Sequence, residues 1–180
     1  MKIFLDTADT DAIKKHFDTG IIDGITTNPT LIRKSGRDPE DVYQELIDYG
    51  INDISMEVVG DYNTMFEEGV RLSRKFGKAC TIKVPCTPDG LRVCKELSRD
   101  LVNVNVTLIF SPAQAILAAK SGAKYVSPFV GRVDDNSFVG MDLIEQISDI
   151  YTIQNVHKTE ILSASIRDVK SVSDSFASGA

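Results

Sequence analysis

Short apolar runs alternate with amphipathic stretches along the whole chain, and this alternation restricts the fold more than any other feature. The strand-like runs are Ile3–Leu5, Gly24–Thr26, Ile54–Val58, Thr81–Val84, Val104–Ile109, Tyr125–Ser127 and Glu160–Ala164. Helix-like stretches lie at 10–18, 40–49, 62–76, 88–99, 112–121, 140–154 and 167–178. Their starts carry side chains that satisfy free backbone N–H groups, or proline: Asp9, Asp38-Pro39, Asp61, Thr87-Pro88 and Ser111-Pro112. Gly77, Gly122 and Gly179 fall where helices should stop. Strand followed by helix seven times over predicts an α/β fold with a parallel sheet. Of the two parallel architectures, an open nucleotide-binding sheet should carry a glycine-rich turn after an early strand, and Asp6-Thr7-Ala8-Asp9 is nothing of that kind. A closed TIM barrel is therefore the expected architecture.

A barrel draws its functional groups from the C-terminal ends of many strands. Asp6, Asn28, Glu57, Lys83, Asn105 and Ser127 recur at intervals of 22 to 29 residues, one per repeat. Each has an ordinary explanation alone. Asp6 and Asn28 suit turns or helix caps, Glu57 a solvated strand end, Ser127 a turn before proline, and Thr107 a plain β-branched strand position. Lys83 is the least ordinary, because it interrupts the apolar run Ala79-Cys80-Thr81-Ile82-Lys83-Val84-Pro85. Either it snorkels to water from a strand end, or it is a buried nucleophilic amine of the kind that forms a Schiff base with a carbonyl. The shared phase favours the second reading, since inward polar groups in a barrel need one another as partners.

The chain of 180 residues, 42% of them hydrophobic, is long enough for one domain, 1–180, built of seven βα units. A net charge of -6 with dispersed lysines and arginines argues against nucleic acid as a partner. Cys80, Cys86 and Cys94 match no zinc spacing, His16 and His157 stand far apart, and no metal site is expected. Odd-numbered thiols, no signal peptide and no long apolar stretch predict a cytoplasmic protein that spans no membrane. Cys80 is expected in the core and Cys86 in a loop.

Four segments together resemble the transaldolases. They are Thr26-Thr27-Asn28-Pro29-Thr30-Leu31, Ile82-Lys83-Val84-Pro85, Asn105-Val106-Thr107-Leu108-Ile109-Phe110-Ser111 with Gln114-Ala115, and Ser127-Pro128-Phe129-Val130-Gly131-Arg132. More narrowly, the chain is similar to the short-form transaldolase and fructose-6-phosphate aldolase group, in collinear order over essentially its whole length. The resemblance implies a class I reaction on sugar phosphates with no metal or organic cofactor. It implies Lys83 as the Schiff-base lysine, Asp6 as acid and base, and Glu57 and Thr107 as the pair that orients a catalytic water. Asn28, Asn105 and Ser127 would hold substrate hydroxyls, with Thr27 and Phe129 lining the same substrate. Arg132, Ser165 and Arg167 would bind phosphate, although either arginine could instead pair at the surface with Asp134, Asp135 or Asp168.

Members of the group that use free dihydroxyacetone resemble one another in having glutamine at the Glu57 position and tyrosine at the Phe129 position. Glu57 and Phe129 follow the transaldolase pattern instead, which implies transfer of a dihydroxyacetone unit from fructose 6-phosphate to erythrose 4-phosphate. Aldolase chemistry on the free ketone is the alternative within the group. The group continues into an eighth strand and a terminal helix, whereas this sequence stops at Ala177-Ser178-Gly179-Ala180. A truncated chain is the expectation, with completion of the barrel by a neighbouring subunit as the other reading, and a silent barrel acting as a scaffold is the functional alternative of another class. Relatives assemble as homo-oligomers, commonly decamers of two pentamers, so a homo-oligomer is implied here as well.

Overall fold

Five helix starts read from the sequence are closed by the side chains expected to close them. In the computed structural model, which describes Met1–Ala180, Asp9 accepts from the N–H of Ala12, Asp38 from Glu40 and Asp61 from Thr64. Thr87 accepts from Gly90 and Ser111 from Gln114. Each such cap contributes about 1 kcal/mol to its helix. Seven strands alternate with these helices, and the neighbouring strands within each unit pair in parallel, the α/β pattern expected from the sequence. The chain forms two compact units, Lys2–Lys83 and Val84–Ala180 with Met1.

The first unit runs β1 (Phe4–Asp6), α1 (Thr10–Phe17), β2 (Gly24–Thr26), α2 (Pro29–Ser35), α3 (Pro39–Asp48), β3 (Ile54–Glu57), α4 (Tyr62–Phe76) and, after a single 3-10 turn, β4 (Cys80–Pro85) as far as Lys83. Its strands pair in sequence order, with Asp6 opposite Thr26, Thr26 opposite Ser55, Ser55 opposite Thr81, and Glu57 opposite Lys83. Residues that pair across parallel strands share a face, and side chains alternate along each strand. One face therefore carries Asp6, Thr26, Ser55, Glu57, Thr81 and Lys83. The opposite face carries Leu5, Ile25, Ile54, Met56, Cys80 and Ile82, and from Ile25 onward these are buried. Val42, Leu46, Met65 and Leu72 of the helices supply further buried apolar groups.

The second unit runs α5 (Pro88–Arg99), β5 (Asn103–Ile109), α6 (Pro112–Lys120), β6 (Tyr125–Pro128), α7 (Val130–Asp134), α8 (Gly140–Ile153), β7 (Glu160–Ile161) and α9 (Val169–Ala177). Strand β5 pairs with β6 through Asn105–Tyr125 and Val106–Val126, then shifts register before Ile109–Pro128. The extra residue is accommodated at Leu108, whose φ is 59°. This is a β-bulge. It keeps Asn105 and Thr107 on one face and returns the buried Ile109 to the other.

Two short helices, α2 and α7, were not expected, because neither spans enough turns to show an apolar period. The seventh strand is shorter than the expected 160–164. Its track along β6 continues through Leu162 N to Val126 O and Ala164 N to Pro128 O, and ends in a bridge between Phe129 and Ala164. The last helix begins at Val169 rather than 167 because Asp168 caps it, accepting from Ser171 N.

All three cysteines are free, Cys80 and Cys94 buried and Cys86 partly exposed. Burial pushes the Cys80 and Cys94 thiols up to about 12 and raises that of Cys86 as well. Alkylation of the native protein at pH 8 is expected to mark Cys86 alone, and slowly, with all three labelled after unfolding; mass spectrometry reads the sites. A second expectation concerns Gly90 in the first turn of α5, where an added Cβ would stand 2.0 Å from the Pro85 carbonyl oxygen. Gly90→Ala would ordinarily favour a helix. Here the clash with backbone dominates, and urea denaturation should show a net loss of about 1–3 kcal/mol.

Candidate active site

Lys83 is 6% exposed, and its ammonium group has two protein partners. Nζ lies 3.1 Å from Glu57 Oε2 and donates to the Thr27 carbonyl oxygen at 3.0 Å. The register explains the first contact, since Glu57 and Lys83 are directly opposite on neighbouring strands. Both side chains are largely withdrawn from water, at 8% and 13% exposure, so the pair is weakly screened. Snorkelling is not what this lysine does. Removing one partner from such a pair leaves an uncompensated charge, at a typical cost of about 3–5 kcal/mol.

The carbonyl that receives Lys83 is itself held in place. The Thr27 hydroxyl is fully buried and donates to Ser55 O at 3.2 Å, which uses its single proton. Tyr43 Oη, 3.3 Å from the same hydroxyl, must then be the donor between the two. Burial pushes the Tyr43 phenol up to about 12, so it keeps that proton. Its ring meets Phe76 edge to face at 5.9 Å. Thr27 thus offers the site its carbonyl and not its hydroxyl.

Asp6 ends β1 and is exposed, with Oδ1 accepting from Thr26 Oγ1 at 2.8 Å. That bond orients the carboxylate and leaves Oδ2 for another donor. Asn28 combines its two readings: Oδ1 caps α2 by accepting from Leu31 N at 3.0 Å, while the Nδ2 donors remain uncommitted. Thr26 closes β2 two residues before Asn28, inside the polar stretch already read from the sequence. Tyr43 follows the apolar period of α3 and carried no signal of its own.

In the second unit, Ser127 Oγ donates to Asn105 Oδ1 at 2.9 Å, and both residues are buried. The neighbouring Thr107 hydroxyl is buried and has no hydrogen-bond partner. Burying a hydroxyl without a partner is unfavourable. Phe129 sits between the exposed ring of Phe110, 5.7 Å away, and the Arg132 guanidinium, 4.8 Å from its centroid. Arg167 is paired bidentately with Asp135, the surface pairing that the sequence left open. Ser165, in the left-handed region at φ 58°, accepts from Gly131 N through its carbonyl.

The family described as Transaldolase/Fructose-6-phosphate aldolase matches residues 3–179. A protein of Nitrosopumilus maritimus (strain SCM1) named "Probable transaldolase" is 55% identical over 168 residues, covering 93% of this chain and 75% of that protein. Another of the same name, from Paracoccus denitrificans (strain Pd 1222), is 51% identical over 181 residues, covering 100% of this chain and 82% of its own length. Such a match carries the α/β TIM-barrel-like fold class and an enzyme that transfers aldehyde or ketone residues. The chain belongs to the transaldolase/fructose-6-phosphate aldolase family.

Proposed function

We propose that the chain is a transaldolase that moves a dihydroxyacetone unit from fructose 6-phosphate or sedoheptulose 7-phosphate to an aldose phosphate, through a Schiff base on Lys83. The observation that carries this reading is the buried Lys83 beside Glu57, 3.1 Å apart. An ammonium group cannot attack a carbonyl, and Glu57 lies close enough to accept its proton, directly or through a water. The free amine adds to the substrate ketone, the former carbonyl oxygen leaves as water, and a positive iminium remains. Asp6 then takes the proton from the hydroxyl on the carbon whose bond to its neighbour breaks. The electrons of that bond move into the iminium to give an enamine, and an aldose phosphate departs. Addition of the enamine to the acceptor aldehyde reverses these steps, and water releases the product.

Thr107 suits the role of holding that water, because its buried hydroxyl has no protein partner. The Nδ2 donors of Asn28, the Asn105–Ser127 pair and Thr27 through its carbonyl are assigned to the substrate's hydroxyls and to the lysine, with Phe129 as an apolar wall. Arg132, Ser165 and Arg167 are assigned to phosphate. We place the enzyme in the cytoplasm as a homo-oligomer; three free thiols support the first assignment, and no helix is long and apolar enough to cross a membrane. Glu57 and Phe129 favour transfer over the aldolase reaction with free dihydroxyacetone, which is the second reading.

Borohydride added with fructose 6-phosphate should leave a reduced adduct whose mass maps to Lys83; a folded sample with no adduct would sink the Schiff-base assignment. Glyceraldehyde 3-phosphate should form only when erythrose 4-phosphate is present. Glu57→Gln combined with Phe129→Tyr should lower transfer by about 10²-fold or more, as expected for loss of a proton-transfer group. The same double variant should increase release of free dihydroxyacetone, measured with a coupled reductase assay.

A further inference from the structure

The Arg167 fork is occupied by a carboxylate. Both of its terminal nitrogens meet the two oxygens of Asp135, the geometry in which a guanidinium grips a carboxylate or a phosphate. This partnership is specific. The neighbouring Asp134 is committed elsewhere, accepting from Gly140 N at 2.8 Å, and Asp168 caps α9. Gly131 allows the approach: a Cβ there would lie 2.8 Å from Arg167 Nε and 2.3 Å from Ser165 O. The Arg167 guanidinium holds the Asp135 carboxyl below its ordinary value, and the charge of Arg132 adds to the effect.

The backbone nearby offers an anion little. The first N–H groups of α7, on Val130 and Gly131, donate to Ala164 O and Ser165 O at 3.0 and 3.1 Å. An anion recognised in this region must therefore be held by guanidinium groups. Arg132 is kept in place by the Phe129 ring, a neutral partner that leaves all its N–H donors usable. Arg167 is kept in place by a competing anion.

We propose that Asp135 is a built-in stand-in for the substrate's phosphate: it pre-orients Arg167 and must be displaced from the fork before a phosphate ester binds. The inference rests on the assignment of Arg167 to phosphate made above. A dianionic phosphate outcompetes a single carboxylate for this fork because it brings more charge and a third acceptor oxygen. A carboxylate or an uncharged sugar has no such advantage. Asp135 thereby lowers the affinity of the fork for every anion by a common factor, which a dianionic ester can bear and a weaker anion cannot.

The test measures binding of inorganic phosphate by calorimetry at low salt, which requires no turnover and so stands apart from the reaction assigned to Lys83. Asp135→Asn should bind phosphate about two- to fivefold more tightly than the parent, the range expected for removing a competing, half-exposed ion pair. Its KM for fructose 6-phosphate should fall with kcat held, and acetate affinity should rise by a similar factor. The gain should vanish in an Arg167→Ala background, which isolates the coupling between the two residues. It should also shrink at high ionic strength. Asp135→Ala provides a second variant of the same sign. Unchanged or weaker phosphate binding in both folded variants, checked by circular dichroism, would make Asp135 a strut for Arg167 and overturn the proposal. Failure of phosphate to bind the parent, or any variant, would overturn the assignment of Arg167 to phosphate instead.

Discussion

A charge pair withdrawn from water is the interaction on which the rest of the first unit depends. Glu57 and Lys83 are brought together by strand register alone, without a loop or a flexible segment. In an environment of low dielectric such a pair is held by its geometry, because neither group has enough water to turn to. Its surroundings are built accordingly. The Thr27 carbonyl, fixed through Tyr43 and Ser55, gives the ammonium a second acceptor. The arrangement contributes little net stability, since desolvation offsets most of the attraction. What it provides is a lysine in a defined position with a carboxylate at hydrogen-bonding distance.

The same economy of local interactions shapes the helices. Five of them start on a side chain that the sequence alone identifies as a cap, because capping is a contact within three residues and needs no tertiary information. The strands are likewise visible as apolar runs, and the recurrence of one polar residue per repeat picks out Asp6, Asn28, Glu57, Lys83, Asn105 and Ser127 before any coordinates are known. Structure adds what depends on register and on partners far apart in sequence. The polar face continues through Thr26, Ser55 and Thr81, which look like ordinary β-branched or small strand residues in a linear reading. Helix α7 is too short for periodicity to reveal it, and β7 ends early although its sequence remains apolar. The choice among Asp134, Asp135 and Asp168 for Arg167 was open in the sequence; it is settled by which carboxylates backbone N–H groups already occupy.

Arg132 and Arg167 show how identical side chains acquire different behaviour. Arg132 rests on a ring, which restrains the position of its charge while leaving every donor available. Arg167 is restrained by a carboxylate that consumes donors as it orders the side chain. Both gain order before a ligand arrives, which reduces the entropy lost on binding. Only Arg167 already holds an anion on its fork.

The bulge at Leu108 acts as a phase shifter within β5. Upstream of it the strand presents Asn105 and Thr107 to one face, and downstream the alternation restarts with Ile109 turned to the other. Removing a single residue here would rotate everything that follows by half a period, carrying Ile109 out of the apolar layer and Phe110 into it. Substitutions at Phe110 thus inherit their orientation from a backbone irregularity two residues earlier. Variation at the mouth of this strand is constrained in length more tightly than in side-chain identity, and a left-handed residue at position 108 is the condition that any redesigned sequence would have to preserve.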